Sequence, residues 1–295
     1  MIPAPEAVDL ADGRTLDVLL GGATDGTPLV LHHGTPSCAT TFEDWHSDCL
    51  ERGLRLIAVS RPGYASSSRV PGRDVASVTV DIADVLDRLG HGTFVTAGWS
   101  GGGPHALACG ALLPGCVAGA SVAGARMGGD DPDFTAGMAP ENVAEFGAAL
   151  EGEDSLRAFL AANAEPFRTV KAAEIIEAFG GLVPQVDKDV LAEGYAEVLA
   201  ASMRRALQPG FDGWVDDDLA FVKPWGFQPQ DIAVPVTVWQ GSLDLMVPFE
   251  HGRWLESAIP GATLRLVDGH GHLSLVTAFR SEILDDLVRA AKGQR

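Results

Sequence analysis

The chain has 295 residues, 46% of them hydrophobic, which is enough for one large core or for a core carrying an inserted cap. Its 40 acidic against 21 basic residues leave a net charge of −19, which argues against nucleic acid and anionic membrane surfaces as partners, since both repel a polyanion. Residues 1–6 contain neither a basic segment nor an apolar run, so no signal peptide is expected. Cys38, Cys49, Cys109 and Cys116 show no C-x-x-C or metal-ligand spacing. Buried, reduced thiols in a cytoplasmic protein are expected, with no metal site.

Apolar positions at 7–10 and 16–20, on either side of Asp12-Gly13, predict a β-hairpin. Leu29-Val30-Leu31-His32-His33 reads as a short strand that ends in Gly34-Thr35-Pro36-Ser37, and a helix is expected over 41–52. The next strand covers 54–59. Arg61-Pro62-Gly63-Tyr64 turns out of it into a polar loop with Ser66, Ser67 and Ser68. Val78, Ile82, Val85, Leu86 and Leu89 recur at helical spacing and predict an amphipathic helix over 78–89. Residues 93–97 read as a buried strand. After Gly98-Trp99-Ser100-Gly101-Gly102 a helix begins with Pro104 in its first turn. The stretch 104–125 carries no charge, but Pro114-Gly115 breaks it. A buried helix followed by a strand over 117–123 is therefore expected, not a membrane span.

From Met127 the texture changes. Strand signals stop until Val234, and helical segments are predicted over 141–150, 155–164, 171–179, 189–207 and 216–221, punctuated by prolines. The pattern predicts a helical cap, 127–231, inserted after the sixth strand of a core formed by 1–126 and 232–295. Asp216-Asp217-Asp218 is expected to be the solvated start of a helix, where carboxylates suit the macrodipole. Strands over 236–240 and 263–267, with helices over 250–258 and 273–291, complete the alternation. The fold class is therefore α/β: a mostly parallel, doubly wound sheet with an N-terminal antiparallel hairpin and a helical insertion.

In such a sheet, ligands sit at the carboxyl ends of the strands. Four strand-end loops carry polar groups there: His33-Gly34-Thr35, the loop at Ser100, the loop at Asp244, and His270-Gly271-His272. Gly98-Trp99-Ser100-Gly101-Gly102 fits the tight strand-to-helix turn that exposes a nucleophilic serine. A serine hydroxyl needs a base within reach, and the base needs an orienting acid. His272 is the preferred base, with His270 as its rival, and Asp244 the preferred acid, with Asp268 and Asp231 as rivals. The backbone N–H groups of Thr35 and Gly101 are the candidate oxyanion donors. Trp99, His33 and Met246 are candidate pocket residues beside the serine, and Met138, Phe134, Phe146, Tyr195 and Trp214 are candidates in the cap. His32 and His33 are also expected to shape their loop by hydrogen bonding, and His105 to pack in the core.

With these residues in place, the chain resembles the α/β-hydrolase fold family. The resemblance rests on His33-Gly34-Thr35-Pro36, Arg61-Pro62-Gly63-Tyr64, Gly98-Trp99-Ser100-Gly101-Gly102, Leu243-Asp244 with Val247-Pro248, and Gly271-His272-Leu273, in the order Ser, Asp, His. The His-Gly-x-Pro form looks like the oxyanion loop of epoxide hydrolases and dehalogenases, but those relatives carry an aspartate where this chain has Ser100. Proline iminopeptidases usually carry a glycine-richer His-Gly-Gly-Pro-Gly loop. The resemblance implies a serine hydrolase acting on a small-molecule ester, lactone or thioester, without an organic cofactor, as a monomer or homodimer. A C–C bond hydrolase or cofactor-free perhydrolase with the same triad is the alternative chemistry, and a ligand-binding receptor on this fold the non-enzymatic one.

Overall fold

The structure is a computed structural model and describes residues 4–129, 131 and 133–293. Eight strands form one sheet in the order β1-β2-β4-β3-β5-β6-β7-β8. Strands β1 (Glu6–Asp9) and β2 (Thr15–Gly22) form the antiparallel hairpin, and β2 also runs antiparallel to β4 (Leu54–Ser60). The remaining pairs are parallel: β3 (Thr27–His32) with β4 and with β5 (Phe94–Trp99), then β6 (Cys116–Val122), β7 (Val236–Gly241) and β8 (Thr263–Val267). The chain steps outward from β3 to β4, then returns across β3 to β5. That reversal is the topological switch point, where a crevice opens beyond the strand ends. His32 pairs with Gly98 there, so the loops after β3 and β5 leave the sheet side by side.

Both faces of the sheet are covered, which is why β5 is buried along its whole length. Helix α1 (His46–Glu51) is short, because the expected helix over 41–52 starts as a 3₁₀ turn, Ala39–Trp45. Helix α2 (Val78–Leu89) buries Val78, Ile82, Val85 and Leu86 as its spacing predicts, and α3 (Gly102–Leu112) is buried from Gly102 to Cys109. All four cysteines are buried and unpaired. No helix among the described residues is long and apolar enough to cross a membrane.

Between β6 and β7 the described chain is helical: α4 (Pro140–Glu151), α5 (Glu153–Asn163), α6 (Glu165–Thr169), α7 (Ala172–Phe179), α8 (Gln185–Val190), α9 (Ala196–Ala206) and α10 (Asp212–Phe221). The helix expected over 189–207 is broken by a π-helical turn, Leu191–Tyr195, in which Gly194 takes φ 119°, a conformation that suits glycine. Helix α10 starts four residues before the aspartate run. Asp216, Asp217 and Asp218 therefore fall in its interior and are buried, which corrects the expectation of a solvated start. Arginines supply the compensation that water was expected to give: Arg69 pairs with Asp216, and Arg61 and Arg73 with Asp217. After β7 come α11 (Phe249–Ala258), α12 (His272–Ala278) and α13 (Arg280–Ala291). The last two divide the expected 273–291 helix at Phe279, whose ring packs on Trp239 and His270.

One apolar cluster runs from Leu31 and Val95 in the sheet through Trp99 to Phe179, Leu199 and Met203 in the helical stretch. The inserted helices and the sheet thus share a core.

Candidate active site

Ser100 sits between β5 and α3 with φ 56°, a left-handed conformation unusual for a residue with a side chain. The turn can close because its flanks are glycines. A Cβ on Gly98 would stand 1.9 Å from the Gly102 carbonyl oxygen, and one on Gly102 would stand 2.0 Å from that of His32. The Ser100 N–H donates to Val122 O at 2.9 Å, and the Gly103 N–H donates to Ser100 O at 2.9 Å, pinning the turn to β6 and to the helix start. The hydroxyl is left at the wall of a cavity of about 680 Å³.

His272 is the first residue of α12 and lines the same cavity. Its Nδ1 donates to Asp244 Oδ2 at 2.8 Å. Asp244 Oδ1 accepts the Met246 and Val247 amides at 2.9 and 2.8 Å, and the Gln240 side-chain amide donates to Oδ2 at 3.2 Å. A carboxylate held at both oxygens cannot swing away, so it fixes the ring and leaves Nε2 as the nitrogen free to act. Burial pulls the His272 imidazole toward neutrality, but the charge and hydrogen bond of Asp244, aided by Asp187, outweigh it and raise its pKa above the ordinary 6.5. Ser100 Oγ and His272 Nε2 are not hydrogen-bonded in this structure, and such contacts commonly tighten when substrate binds. The rivals lie elsewhere. His270 packs edge-on against Phe279, Asp268 accepts the Ser242 hydroxyl at 2.9 Å on the surface, and Asp231 ends an exposed turn.

Thr35 and Gly101 meet across the switch point, and a Cβ on Gly101 would lie 2.4 Å from Thr35 Oγ1. Neither backbone amide donates a hydrogen bond within the described residues, and both residues line the cavity beside Ser100. Below them Arg61 is fully buried. It donates to the carbonyl oxygens of His33 and Gly34, to Thr35 Oγ1 at 2.9 Å, and to Asp217 Oδ2 at 2.6 Å. Asp217 also accepts the Thr35 and Tyr64 hydroxyls at 2.7 and 2.9 Å, and Arg73 pairs with its other oxygen at 2.7 Å. Burial opposes the charge on Asp217, but Arg61 and Arg73 hold its pKa well below the ordinary 3.8.

His33 belongs to this buried layer and does not line the cavity, which corrects its expected place in the pocket. Its Nε2 accepts the Arg61 backbone N–H at 3.0 Å, and its Nδ1 donates to Gly34 O at 2.6 Å. Those contacts require a neutral ring, and burial together with the Arg61 charge holds its pKa well below 6.5. His105 is buried as expected.

Trp99 and Met246 do line the cavity, as do Met138, Phe146 and Trp214. Phe134 stands behind the wall against Phe146 and His251, and Tyr195 is also outside it. Phe159, Phe167, Phe179 and Met203 add apolar surface from the helical stretch. Glu141, Asn142, Glu145, Asn163 and Asp218 add polar groups to that wall. Burial, then the neighbouring Glu145 charge, raises Asp218 well above the usual carboxylate range. Among the described residues no group of three or more His, Cys, Asp or Glu side chains is placed to hold a metal ion.

Sequence reasoning missed Asp187, Asp217 and Asp218. The aspartate run held no decisive signal: at about 100° per residue three consecutive helical side chains span about 200°, which the polar face of an amphipathic helix can accommodate. Asp187 gave none, because Gln185-Val186-Asp187-Lys188-Asp189 has the texture of a surface turn of helix.

A sequence model of the alpha/beta hydrolase fold family matches residues 27–279. The chain is similar to the non-heme chloroperoxidase of Streptomyces lividans, with 32% identity over 162 residues, covering 54% of this chain and 56% of that protein. It therefore spans little more than half the length of that relative. Among solved structures, a hydrolase from Pseudomonas aeruginosa PA01 superposes with a TM-score of 0.70 at 20% identity over 98% of both chains. An esterase from Exiguobacterium antarcticum superposes with a TM-score of 0.69 at 21% identity, covering 96% of this chain and 98% of that one. At those identities the likeness shows a shared fold.

Proposed function

We propose that the chain, which belongs to the α/β-hydrolase fold family, is a serine hydrolase that cleaves an ester-like bond of a small to medium apolar substrate. The observation that carries this reading is the Asp244-held imidazole of His272 on the cavity that Ser100 also lines, with two backbone amides beside the serine that donate to no protein group among the described residues. Ser100 Oγ attacks the carbonyl carbon while His272 Nε2 takes its proton. The carbonyl oxygen becomes an oxyanion between the Thr35 and Gly101 N–H groups. Collapse of this adduct breaks the bond to the leaving group, which takes the proton from His272. Water, deprotonated by His272, then releases the acyl group and restores Ser100. Each oxyanion donor is worth about 2.7–4 kcal/mol of transition-state stabilisation. Residues 127–231 act as the cap that closes the apolar cavity over the acyl chain. A carboxylic ester, a lactone and a thioester all satisfy this geometry.

The test is covalent labelling with a fluorophosphonate, followed by turnover of a p-nitrophenyl ester series, a lactone and a thioester. Labelling at Ser100, and turnover that vanishes in Ser100→Ala, are expected. Turnover unchanged in that variant removes Ser100 from the mechanism. The name of the curated relative favours a second reading, in which hydrogen peroxide replaces water in the deacylation step and releases a peracid. Halide oxidation that requires peroxide, a carboxylic acid and Ser100 together would select it.

A further inference from the structure

Asp187 stands on α8, in the helical stretch, 85 residues before His272 in sequence. It is fully buried. Its oxygens meet two backbone amides: Oδ2 accepts the His272 N–H and Oδ1 the Ser274 N–H, each at 2.8 Å. These are the first and third residues of α12, whose opening amides have no partner within the helix. The carboxylate therefore closes the start of the helix that carries the imidazole. Gly271 leaves room for it, since a Cβ there would stand 2.5 Å from Asp187 Oδ2 and 2.7 Å from its Cγ. The Gly271 N–H donates to Ser274 Oγ at 2.8 Å and completes the turn.

We propose that Asp187 is a positioning residue for the His272 base: it fixes the backbone from which the imidazole hangs and holds a negative charge beside the imidazolium that forms as Ser100 gives up its proton. This inference rests on the serine-hydrolase reading and adds to it a residue from outside the triad. The charged groups acting on the ring are Asp244, from the loop after β7, and Asp187, from α8, while Trp99 and Ser100 are its neutral neighbours at the elbow. Asp244 acts on the ring at Nδ1 and Asp187 on the main chain, so the two carboxylates constrain different degrees of freedom. Because α8 belongs to the helical stretch, docking of those helices on the sheet becomes a condition for a correctly aimed base.

Asp187→Asn tests this, because it keeps the size and one acceptor oxygen but removes the charge and the second acceptor. Thermal stability, steady-state hydrolysis of p-nitrophenyl butyrate, and the His272 imidazole titration followed by NMR in the resting protein are measured together. kcat is expected to fall by about tenfold or more with KM within about twofold. The His272 titration is expected to move to lower pH, because a charge that favours the imidazolium is gone. A lower Tm with kcat and titration unchanged overturns the proposal, since a merely structural carboxylate gives that result. If Asp187→Asn does not fold, Gly271→Ala crowds the same carboxylate with Asp187 intact. It is expected to lower kcat likewise, and unchanged kcat overturns the proposal. Wild-type protein without turnover or Ser100 labelling counts against the hydrolase reading itself, whereas active wild type with an unaffected variant counts against Asp187 alone.

Discussion

His272 is pulled two ways. Burial favours the neutral ring, and Asp244 with Asp187 favours the charged one, with the carboxylates prevailing. A base must be neutral to accept a proton, so the acidic limb of kcat/KM is expected to fall above the ordinary histidine value of 6.5. Asp244→Asn removes the stronger of the two charges, so the limb moves to lower pH while kcat collapses. An acidic limb that stays in place in that variant would assign it to another group. The same shift has a stability consequence of definite sign. A folded pKa raised above the unfolded one stabilises the fold fully below the unfolded value, and the contribution is lost as pH rises through the folded value.

Asp217 has the opposite sign. Its folded pKa lies well below 3.8, so its contribution is fully present above that value and lost as pH falls through the folded one. Asp217→Ala leaves Arg61 and Arg73 buried without a counter-ion, which is expected to cost about 3–5 kcal/mol in chemical denaturation. It also frees the guanidinium that holds the His33 and Gly34 carbonyls, so kcat is expected to fall in whatever folded fraction survives. A loss below about 1 kcal/mol would mean that water reaches these arginines. The network was hidden from sequence because its members come from β4's exit turn and from α10, and their partnership is a property of the closed fold. Arg61-Pro62-Gly63-Tyr64 was visible as a turn, but nothing in it indicated a guanidinium aimed inward. His33 was misplaced for the same reason, since the backbone of Arg61 decides which way its ring faces.

Elements were legible where composition and period agreed. β3, β5 and β7 are short apolar runs followed by glycine or aspartate, so their ends, and the loops that carry Thr35, Ser100 and Asp244, could be read directly. The helical stretch was legible as helices but not in its facing. Segments that cover a cavity need apolar residues toward it and behind it, so Phe134, in the turn before α4, and Phe146, on α4, look alike in sequence although the second lines the cavity and the first backs it. That geometry makes a substrate-length prediction. Phe167 on α6 lines the cavity and packs edge-on against Trp214, with ring centroids 5.9 Å apart. Phe167→Ala lengthens the apolar space, and the ratio of kcat/KM for p-nitrophenyl octanoate to that for the acetate is expected to rise by about tenfold. A ratio that does not change would place the acyl chain elsewhere.

At the scale of the whole molecule, the sequence separates core from insertion more sharply than the structure does. A change of texture at Met127 marks where strand signals stop, but a boundary in pattern need not be a boundary in packing. Leu31 and Val95 share an apolar cluster with Ile175, Phe179 and Leu199, and carboxylate contacts tie the two parts together, among them Arg205 with Asp17, Arg61 with Asp217, and Asp187 with the start of α12. A second apolar cluster, made mostly of residues between β6 and β7 such as Leu156, Leu160, Trp214 and Leu219, also takes in Cys38 and Tyr64 from the sheet's loops, so the chain is expected to unfold in one cooperative transition. Ile175→Ala on α7, a fully buried side chain in that shared cluster, probes the coupling. The loss of stability is expected to be about 2–5 kcal/mol. Native-state hydrogen exchange decides where that loss appears. If the parts are coupled, the slowest amides of β5 lose protection by the same free energy as those of α9. If α9 alone loses protection, the insertion opens separately from the sheet, and Asp187 would then leave His272 each time it does so.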